Sequence, residues 1–105
     1  MSPAPSKYSM YHVYLLKSRK NGNLYIGYTK DMNNRLKEHN SGLVEYTKKY
    51  LPWALIYCES FVSLEDAKKR EKSLKYFGRT YSQLKRRITS SLKNIEPLPV
   101  AVKDE

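Results

Sequence analysis

Two strand-like segments separated by an Asn-Gly pair constrain the fold of this chain more than any other feature. The first, "YHVYLLK", begins at Tyr11, and the second, "LYIGY", covers residues 24–28. Both are rich in β-branched and aromatic side chains, which favour strands. Between them lies Asn21-Gly22, a sequence typical of tight hairpin turns. We therefore predict a β-hairpin over residues 11–28.

The hairpin register decides which side chains share a face. If the turn is centred on the Asn-Gly pair, or the loop is two residues longer at either end, even positions pair with odd ones. Tyr14 and Tyr25 then point to the same face of the sheet. Gly27 lies on that face too, and a glycine inside a strand indicates close approach of another group to the backbone.

The segment "KDMNNRLKEHNSG" has the signals of a helix. Asp31 is a suitable N-cap, and Gly42 is a suitable C-terminal stop. Arg35 and His39 are four residues apart, so we expect them on one face of this helix. The helix follows the hairpin directly, which brings this pair near the two tyrosines.

The second half of the chain predicts one more strand and two helices. "WALIYCESF", residues 53–61, reads as a strand, and its apolar run 54–57 predicts cover on both faces. Ser63 begins a capping-box pattern and Gly78 is the predicted end of that helix. Thr80 opens the third helix. The predicted fold class is α+β, in the order ββαβαα, with a small antiparallel or mixed sheet flanked by helices.

Length and terminal composition predict a single domain. The chain has 105 residues, which suits one core. We place the domain at residues 10–92. Segments 1–9 and 93–105 contain prolines and few core-forming patterns, so we expect them to be flexible.

The charge of the chain points to a polyanionic partner. Twenty Lys and Arg against ten Asp and Glu give a formal charge of +10, and ten tyrosines accompany it. Basic groups attract phosphates and phenol rings pack on bases, so nucleic acid is the expected partner class, DNA first and RNA not excluded. The alternative is a basic protein whose charges are simply solvated.

The basic side chains are concentrated in the predicted second and third helices. They would give salt-sensitive affinity for a phosphate backbone without reading sequence, unless they form an ordinary solvated helix face. The candidate nucleic-acid-binding residues are Lys68, Lys72, Lys75, Arg79, Lys85, Arg86 and Arg87.

Several classes of protein are disfavoured by what the chain contains. Cys58 is the only cysteine, so no disulfide can form within the chain, and with His12 and His39 it falls short of a four-ligand zinc site. No apolar run approaches the roughly 18 residues of a membrane span. The first residues lack the apolar core of a secretory signal. We expect a cytoplasmic protein with no membrane partner.

One carboxylate stands where an apolar residue is expected. The inward stripe of the predicted second helix consists of Leu64, Ala67, Glu71 and Leu74. A buried carboxylate without a partner is costly, so Glu71 needs a cation, a metal or an open cleft beside it. It could form an ion pair with Arg35, Arg70 or a lysine, or lie at the boundary of a rotated helix. The functional alternative is a ligand for Mg²⁺, which takes few protein carboxylates and completes its shell with water and phosphate.

The candidate catalytic residues are Tyr14, Tyr25, Arg35, His39 and Glu71. Hydrolysis of a phosphodiester needs a group that activates water, a group that offsets charge on the transition state, and help for the leaving oxygen. Tyrosine is a weak base at pH 7 unless a neighbouring cation lowers its pKa. The Arg35 guanidinium suits a phosphate, and His39 could move a proton or bind phosphate.

These residues carry a resemblance to a known family. "HVYLL…LYIGYTKDMNNRLKEHN" resembles the GIY-YIG nuclease family, in particular its small stand-alone bacterial YhbQ-like members, and the similarity extends from about Tyr11 to Ile88. Tyr25-Ile26-Gly27 is an intact YIG, and Tyr14 ends the first signature. His12 stands where that signature has glycine, and the residue after the YIG is a tyrosine rather than the lysine of some repair-type members.

The resemblance implies a fold, a reaction and a role for each residue. The implied fold is a three-stranded antiparallel sheet flanked by helices. Tyr14 and Tyr25 would position or deprotonate water, with Tyr25 the slightly preferred base, and Arg35 would bind the scissile phosphate. Glu71 would hold one divalent metal, Mg²⁺ or alternatively Mn²⁺, and His39 would assist proton transfer or bind phosphate.

The predicted function is therefore a metal-dependent endonuclease that cleaves DNA according to structure rather than sequence, in repair or recombination. A second hypothesis is a nucleic-acid-binding module with little or no hydrolytic activity. A third is an accessory protein that binds a protein partner. A partner could also deliver the enzyme to its substrate, because no separate DNA-binding domain is evident.

Overall fold

The computed structural model describes residues 9–95, which form a three-stranded antiparallel sheet with helices on both faces. The predicted α+β class is confirmed. The flexible segments predicted at 1–9 and 93–105 lie almost wholly outside the described residues. The strands are β1 (Tyr11–Ser18), β2 (Leu24–Thr29) and β3 (Trp53–Phe61), and the helices are α1 (Met32–Asn40), α2 (Leu64–Tyr76), α3 (Gly78–Arg87) and α4 (Thr89–Asn94), with a 3₁₀ turn at Lys48–Tyr50.

The sheet order is β2-β1-β3, so the first strand is the central one. In the hairpin Tyr14 pairs with Gly27 and Leu16 pairs with Tyr25. Even positions therefore pair with odd ones, as predicted for a loop that is longer than the two-residue Asn-Gly turn. Tyr14 and Tyr25 lie on the same face of the sheet, as predicted.

Each face of the sheet carries its own apolar cluster. Val13, Leu15 and Ile26 pack on one face against Ala67 and Leu74 of α2. On the other face Tyr14, Leu16 and Trp53 are buried, with side chains of α1 packed beside them. Full burial of a side chain of this size stabilises the fold by roughly 1.5–3 kcal/mol. Because successive side chains of β1 point to opposite faces, Val13 and Leu15 contribute to one cluster and Tyr14 and Leu16 to the other.

The prediction that β3 is covered on both faces is wrong. β3 is an edge strand, and Leu55 is 37% exposed while Cys58 is also exposed. A register shift opposite Leu15 and Leu16 leaves Ile56 as an extra residue in β3. The strand covered on both faces is β1, where residues 13 to 16 are buried without interruption.

α2 ends at Tyr76 and Gly78 follows its C-cap, as predicted, but the predicted start of α3 at Thr80 is wrong by two residues. The chain leaves the helix at Phe77, whose extended backbone also forms the N-cap of α3, and Gly78 is the first residue of α3. The Ser63 N-cap is confirmed by its hydroxyl, which accepts from the Asp66 N–H at 3.3 Å. The short helix α4 was not predicted.

Helix α1 follows its sequence signals closely. The Asp31 carboxylate accepts from the Asn34 N–H at 3.1 Å, and the helix ends at Asn40. Gly42 then adopts a φ of +81°, a left-handed conformation that glycine accommodates at a helix end. Within residues 9–95 no helix has the length and apolar character needed to span a bilayer.

Candidate active site

A buried chain of hydrogen bonds joins β1, α1 and the loop before β3. The Tyr14 hydroxyl lies 2.9 Å from Nε2 of His39, and Nδ1 of His39 lies 2.8 Å from Oγ1 of Thr47. Tyr14 is 1% exposed, and His39 and Thr47 are fully buried. The Nε1 of Trp53 donates to the Thr47 carbonyl at 2.9 Å, which fixes the loop against β3.

The partners of this chain define the proton positions. The Thr47 hydroxyl donates to the Val44 carbonyl at 3.4 Å, so its oxygen is free to accept from Nδ1–H of His39. Nε2 then accepts from the Tyr14 hydroxyl. Burial, followed by the nearby Arg35 charge, lowers the pKa of His39 to about 4. The imidazole is therefore neutral at pH 7, with Tyr14 and Thr47 as its two hydrogen-bond partners.

Burial also sets the acidity of Tyr14. It raises the pKa of this phenol to about 12, although the adjacent Arg35 guanidinium acts in the opposite direction. A phenol with this pKa is fully protonated at neutral pH, so Tyr14 acts as a donor to His39 rather than as a ready base. The two predicted tyrosines thus differ in environment.

Tyr25 lies beside Tyr14 but faces a more open region. Its ring centroid is 6.3 Å from that of Tyr14 and 5.0 Å from that of His39. Trp53 and Tyr46 flank it at centroid distances of 6.2 and 5.8 Å. Tyr25 also lines a surface cleft, whereas Tyr14 is enclosed.

Arg35 borders the same cluster from α1. Its Nη1 donates to Oε1 of Glu38 at 2.8 Å, and about a third of its side chain is exposed. The guanidinium is close enough to Tyr14 to affect the pKa of that phenol. Arg35 therefore combines a solvent-accessible fork of donors with contact to the buried cluster, as a phosphate ligand requires.

Glu71 reaches the site from the opposite face of the sheet, around the edge strand β2. Its Oε2 accepts from Nζ of Lys75 at 2.7 Å, and only 13% of the Glu71 side chain is exposed. The same Lys75 Nζ lies 5.9 Å from the Tyr25 ring centroid. The ion pair with a lysine, one of the alternatives for Glu71, is present. Through Lys75, the Glu71 carboxylate is linked to the ring of Tyr25.

The carboxylate of Glu71 fits one kind of metal site. Within the described residues no three His, Cys, Asp or Glu side chains are grouped as a complete metal site. A half-buried single carboxylate can still hold Mg²⁺ when water and a substrate phosphate supply the other ligands. Lys75 engages one of its two oxygens, Oε2. The residues therefore fit a metal that binds together with substrate.

Gly27 explains how Tyr14 fits under the hairpin. A Cβ added to Gly27 would lie 2.5 Å from the Tyr14 hydroxyl oxygen and 2.6 Å from Cζ. The close approach predicted for this glycine is therefore made by the ring of Tyr14, its partner across the ladder. Only a residue without a side chain leaves room for the phenol to reach His39.

A lysine-rich groove adjoins Glu71. Tyr28 of β2 and four residues of α2 (Glu65, Lys68, Lys69 and Lys72) line it together with Glu71. We call this the lysine groove. Lys68 and Lys72, both predicted to bind nucleic acid, lie in it and are exposed. Tyr28 stands at the position where the resemblance gives some members a lysine, whereas Lys75 of α2 lies 5.9 Å from the Tyr25 ring centroid.

The other predicted nucleic-acid-binding residues lie on α2 and α3. Arg79, Arg86 and Arg87 are exposed, whereas Lys85 is half-buried with Nζ 4.4 Å from the Tyr81 ring centroid. Lys75 forms an ion pair with Glu71 and lies near the Tyr25 ring, unlike Lys68 and Lys72, which line the lysine groove. Their roles in binding remain predictions.

The structure adds residues that sequence reasoning missed. Thr47 completes the buried hydrogen-bond chain, but it lies in a polar loop without periodicity that would single it out. Lys75 is among the predicted nucleic-acid-binding residues, but its position near Tyr25 was missed, although its spacing of four residues from Glu71 on a helix indicates the ion pair. His39 was expected to move a proton or bind phosphate, and its complete burial leaves the first role only. His12 lies outside the cluster, with Nδ1 2.6 Å from Oγ of Ser60.

Comparison with known proteins identifies the family of the chain. Residues 10–75 match the family model described as the GIY-YIG catalytic domain. A UPF0213 protein of Streptococcus pneumoniae serotype 4 is 48% identical over 65 residues, which is 61% of this chain and 65% of that protein. A UPF0213 protein of Staphylococcus saprophyticus is 41% identical over 70 residues, covering 66% of this chain and 84% of that one.

More distant relatives are also found. A UPF0213 protein of Halobacterium salinarum is 37% identical over 75 residues, covering 70% of this chain and 96% of that protein. The solution NMR structure of a UPF0213 protein from Bacillus halodurans is 35% identical with a TM-score of 0.49, covering 74% of this chain and 84% of that one. The family model spans more than half of the sequence, including Tyr14, Tyr25, Arg35, His39 and Glu71. The chain therefore belongs to the GIY-YIG family of nuclease domains.

Proposed function

We propose that this protein is a metal-dependent endonuclease that hydrolyses phosphodiester bonds in DNA and selects its substrate by structure rather than by sequence. One observation carries the proposal. Tyr14, Tyr25, His39 and Arg35 on one face of the sheet meet Glu71 from the other face at the edge of β2. The five side chains come from four different elements, β1, β2, α1 and α2.

Each residue has a role that follows from its surroundings. Tyr25, near Lys75 and facing a cleft, holds the attacking water, and its oxygen takes the proton of that water after the phenol proton has passed to solvent in the cleft. Tyr14 is a buried, protonated phenol that donates to His39, and it packs beside Tyr25 and helps to position that residue. Arg35 binds the scissile phosphate and offsets its growing charge. These roles remain part of the proposal.

Glu71 would hold a divalent cation, Mg²⁺ or Mn²⁺, completed by the phosphate of the substrate. A bound cation of this kind supplies a Lewis acid for the phosphoryl oxygens and neutralises charge on the leaving group. Burial acts to lower the pKa of Lys75, but the hydrogen bond to Glu71 and the negative charge nearby raise it above its usual value. The role in repair or recombination, the cytoplasmic location and any protein partner are parts of the same proposal.

The lysine groove supports the choice of substrate. Lys68, Lys69 and Lys72 line the groove together with Glu71 and can contact phosphates on one side of the scissile bond. Phosphate contacts position a backbone without reading its bases, so cleavage would depend on the shape of the DNA. The second candidate, a binding module without activity, would use the same groove and lack only the chemistry.

A cleavage assay separates the two candidates. The full chain is incubated with matched branched, flapped, single-stranded and fully paired DNA, and with RNA, in Mg²⁺, in Mn²⁺ and in chelator. We expect cleavage of branched or flapped DNA that needs the metal and stops in chelator. Tight binding of these substrates without cleavage under any metal condition would support the binding module and overturn the nuclease.

A further inference from the structure

A surface cleft that includes Tyr25, the candidate base, is lined mostly by side chains with no role in the chemistry proposed above. Three tyrosines (Tyr25, Tyr46 and Tyr81) and Lys75 line it, together with the aliphatic side chains of Leu24, Ile26 and Leu74. We call it the tyrosine cleft. Because Lys75 is paired with Glu71, the tyrosine cleft and the lysine groove adjoin across this ion pair.

The cleft presents ring surface that the fold does not need. Tyr46 is 70% exposed, although its ring centroid lies only 5.8 Å from that of Tyr25. A large aromatic side chain left this open contributes little to the core and is suited to contact a flat partner. Tyr81 forms the opposite side of the cleft and carries Nζ of Lys85 4.4 Å from its ring centroid.

The charges around the cleft fit a nucleotide. Lys85 and Lys75 supply cations at its border, and the chain as a whole carries a formal charge of +10. An apolar peptide would gain nothing from these lysines. A nucleotide would use both features, with its base against the tyrosine rings and its phosphate beside the ammonium groups.

We infer that the tyrosine cleft binds one unpaired nucleobase next to the scissile phosphate. The inference rests on the proposed function, because the cleft shares Tyr25 with the candidate active site. A base inside a duplex is stacked and paired and would have to be extruded to enter the cleft. The preferred substrate is then DNA that is single-stranded on one side of the cleavage point and contacts the lysine groove on the other.

Tyr46 offers the sharpest test because it is exposed and lies in a loop. Binding of fluorescein-labelled single-stranded DNA and of a duplex of equal length is measured by anisotropy in chelator, for wild type, Tyr46→Ala and Tyr46→Phe. We expect Tyr46→Ala to weaken single-strand binding on the order of 10-fold and duplex binding by less than about 2-fold. Tyr46→Phe keeps the ring and should bind within about 2-fold of wild type.

Tyr76→Ala is the matched control, because Tyr76 is 73% exposed and is not among the residues that line the cleft. Equal single-strand affinity of Tyr46→Ala and wild type would overturn the inference, and so would an equal loss in Tyr76→Ala. A 2-aminopurine base in the same strand should lose fluorescence on binding to wild type and not on binding to Tyr46→Ala.

Failure of this inference is distinguishable from failure of the proposed function. If wild type cleaves DNA but Tyr46→Ala binds single strands normally, the nuclease stands and the nucleobase site does not. If no metal gives cleavage but Tyr46→Ala still loses single-strand affinity, the site stands and the nuclease does not. Circular dichroism of each variant confirms that the exposed substitutions leave the fold unchanged.

Discussion

His39 is buried as a neutral imidazole because each ring nitrogen has its own fixed partner. Tyr14 donates to Nε2, and Thr47 accepts from Nδ1. A second proton on the imidazole would displace the hydrogen bond from Tyr14 and leave a positive charge in an apolar cluster. Burial and the neighbouring arginine accordingly lower the pKa of His39 to about 4. At the scale of single residues, this histidine couples the stability of the fold to pH.

The sign of that coupling follows from the two states. Unfolded, the histidine has a pKa near 6.5, and folded it has a pKa of about 4. Between these values the unfolded chain binds a proton that the folded chain excludes, so the free energy of unfolding falls as pH decreases from about 6.5 toward 4. The expected loss is on the order of 2–3 kcal/mol, measured by urea denaturation at several pH values.

His39→Gln serves as the comparison, since a glutamine amide can accept from Tyr14 and donate to Thr47 without titrating. The difference in unfolding free energy between wild type and His39→Gln should shrink as pH falls, because only wild type carries this term. A difference that stays constant from pH 7 to pH 4 would show that His39 is not excluded from protonation in the folded state.

At the scale of elements, the position of Tyr14 depends on how closely β1 and β2 approach. The phenol lies over Gly27 on the neighbouring strand, where a Cβ would be 2.5 Å from its oxygen. Gly27→Ala must therefore displace either the ring or the strand, and the hydrogen bond to His39 with it. Overpacking of this kind costs about 1–3 kcal/mol, which a shift in the urea midpoint would report.

Gly78→Ala is the control for that substitution. A Cβ at Gly78 meets no atom within 4 Å, and the residue begins α3, where alanine is favoured over glycine. This variant should be as stable as wild type or slightly more stable. If Gly27→Ala were equally harmless, the close packing of Tyr14 against β2 would not be required for the fold.

Local signals predicted the hairpin and α1 well because the determinants lie within a few residues. The Asp31 cap and Gly42 are found where the sequence indicates, and Asn21-Gly22 lies in the hairpin loop, which is longer than a two-residue turn. The cover on β3 could not be predicted in the same way. An apolar run does not reveal whether its strand is central or at the edge, which depends on pairing along the whole sheet.

The candidate site shows the same division. Arg35 and His39 follow from helical spacing, and the shared face of Tyr14 and Tyr25 follows from the parity of the register. Thr47 and Tyr46 join the site only through the loop that precedes β3, whose path depends on tertiary contacts. No periodicity in the sequence places such a loop.

At the scale of the whole molecule, the excess of positive charge is directed at a phosphate backbone. The formal charge is +10, and the lysine groove lies beside the candidate active site. The affinity for DNA in chelator should fall steeply as salt rises, with a linear plot of log affinity against log salt concentration. Lys72→Ala should reduce the slope by about one unit.

Lys20→Ala is the matched control for that titration. Lys20 lies at the hairpin turn, where its Nζ donates to the Lys49 carbonyl at 3.2 Å. This variant should keep the wild-type slope. If the DNA affinity of wild type did not change with salt concentration, the proposed contacts to phosphates would be wrong.

The central claim is that Glu71, entering from α2, completes an active site begun by the tyrosine cluster, and single-turnover cleavage tests it most directly. Flapped DNA is cut with saturating protein in Mg²⁺ by wild type, Glu71→Gln and Glu45→Gln, the last an exposed carboxylate outside the site. We predict that Glu71→Gln lowers the cleavage rate at least about 100-fold, while its DNA affinity in chelator stays within about 3-fold of wild type. Glu45→Gln should cleave at the wild-type rate. Cleavage by Glu71→Gln at the wild-type rate would contradict the claim.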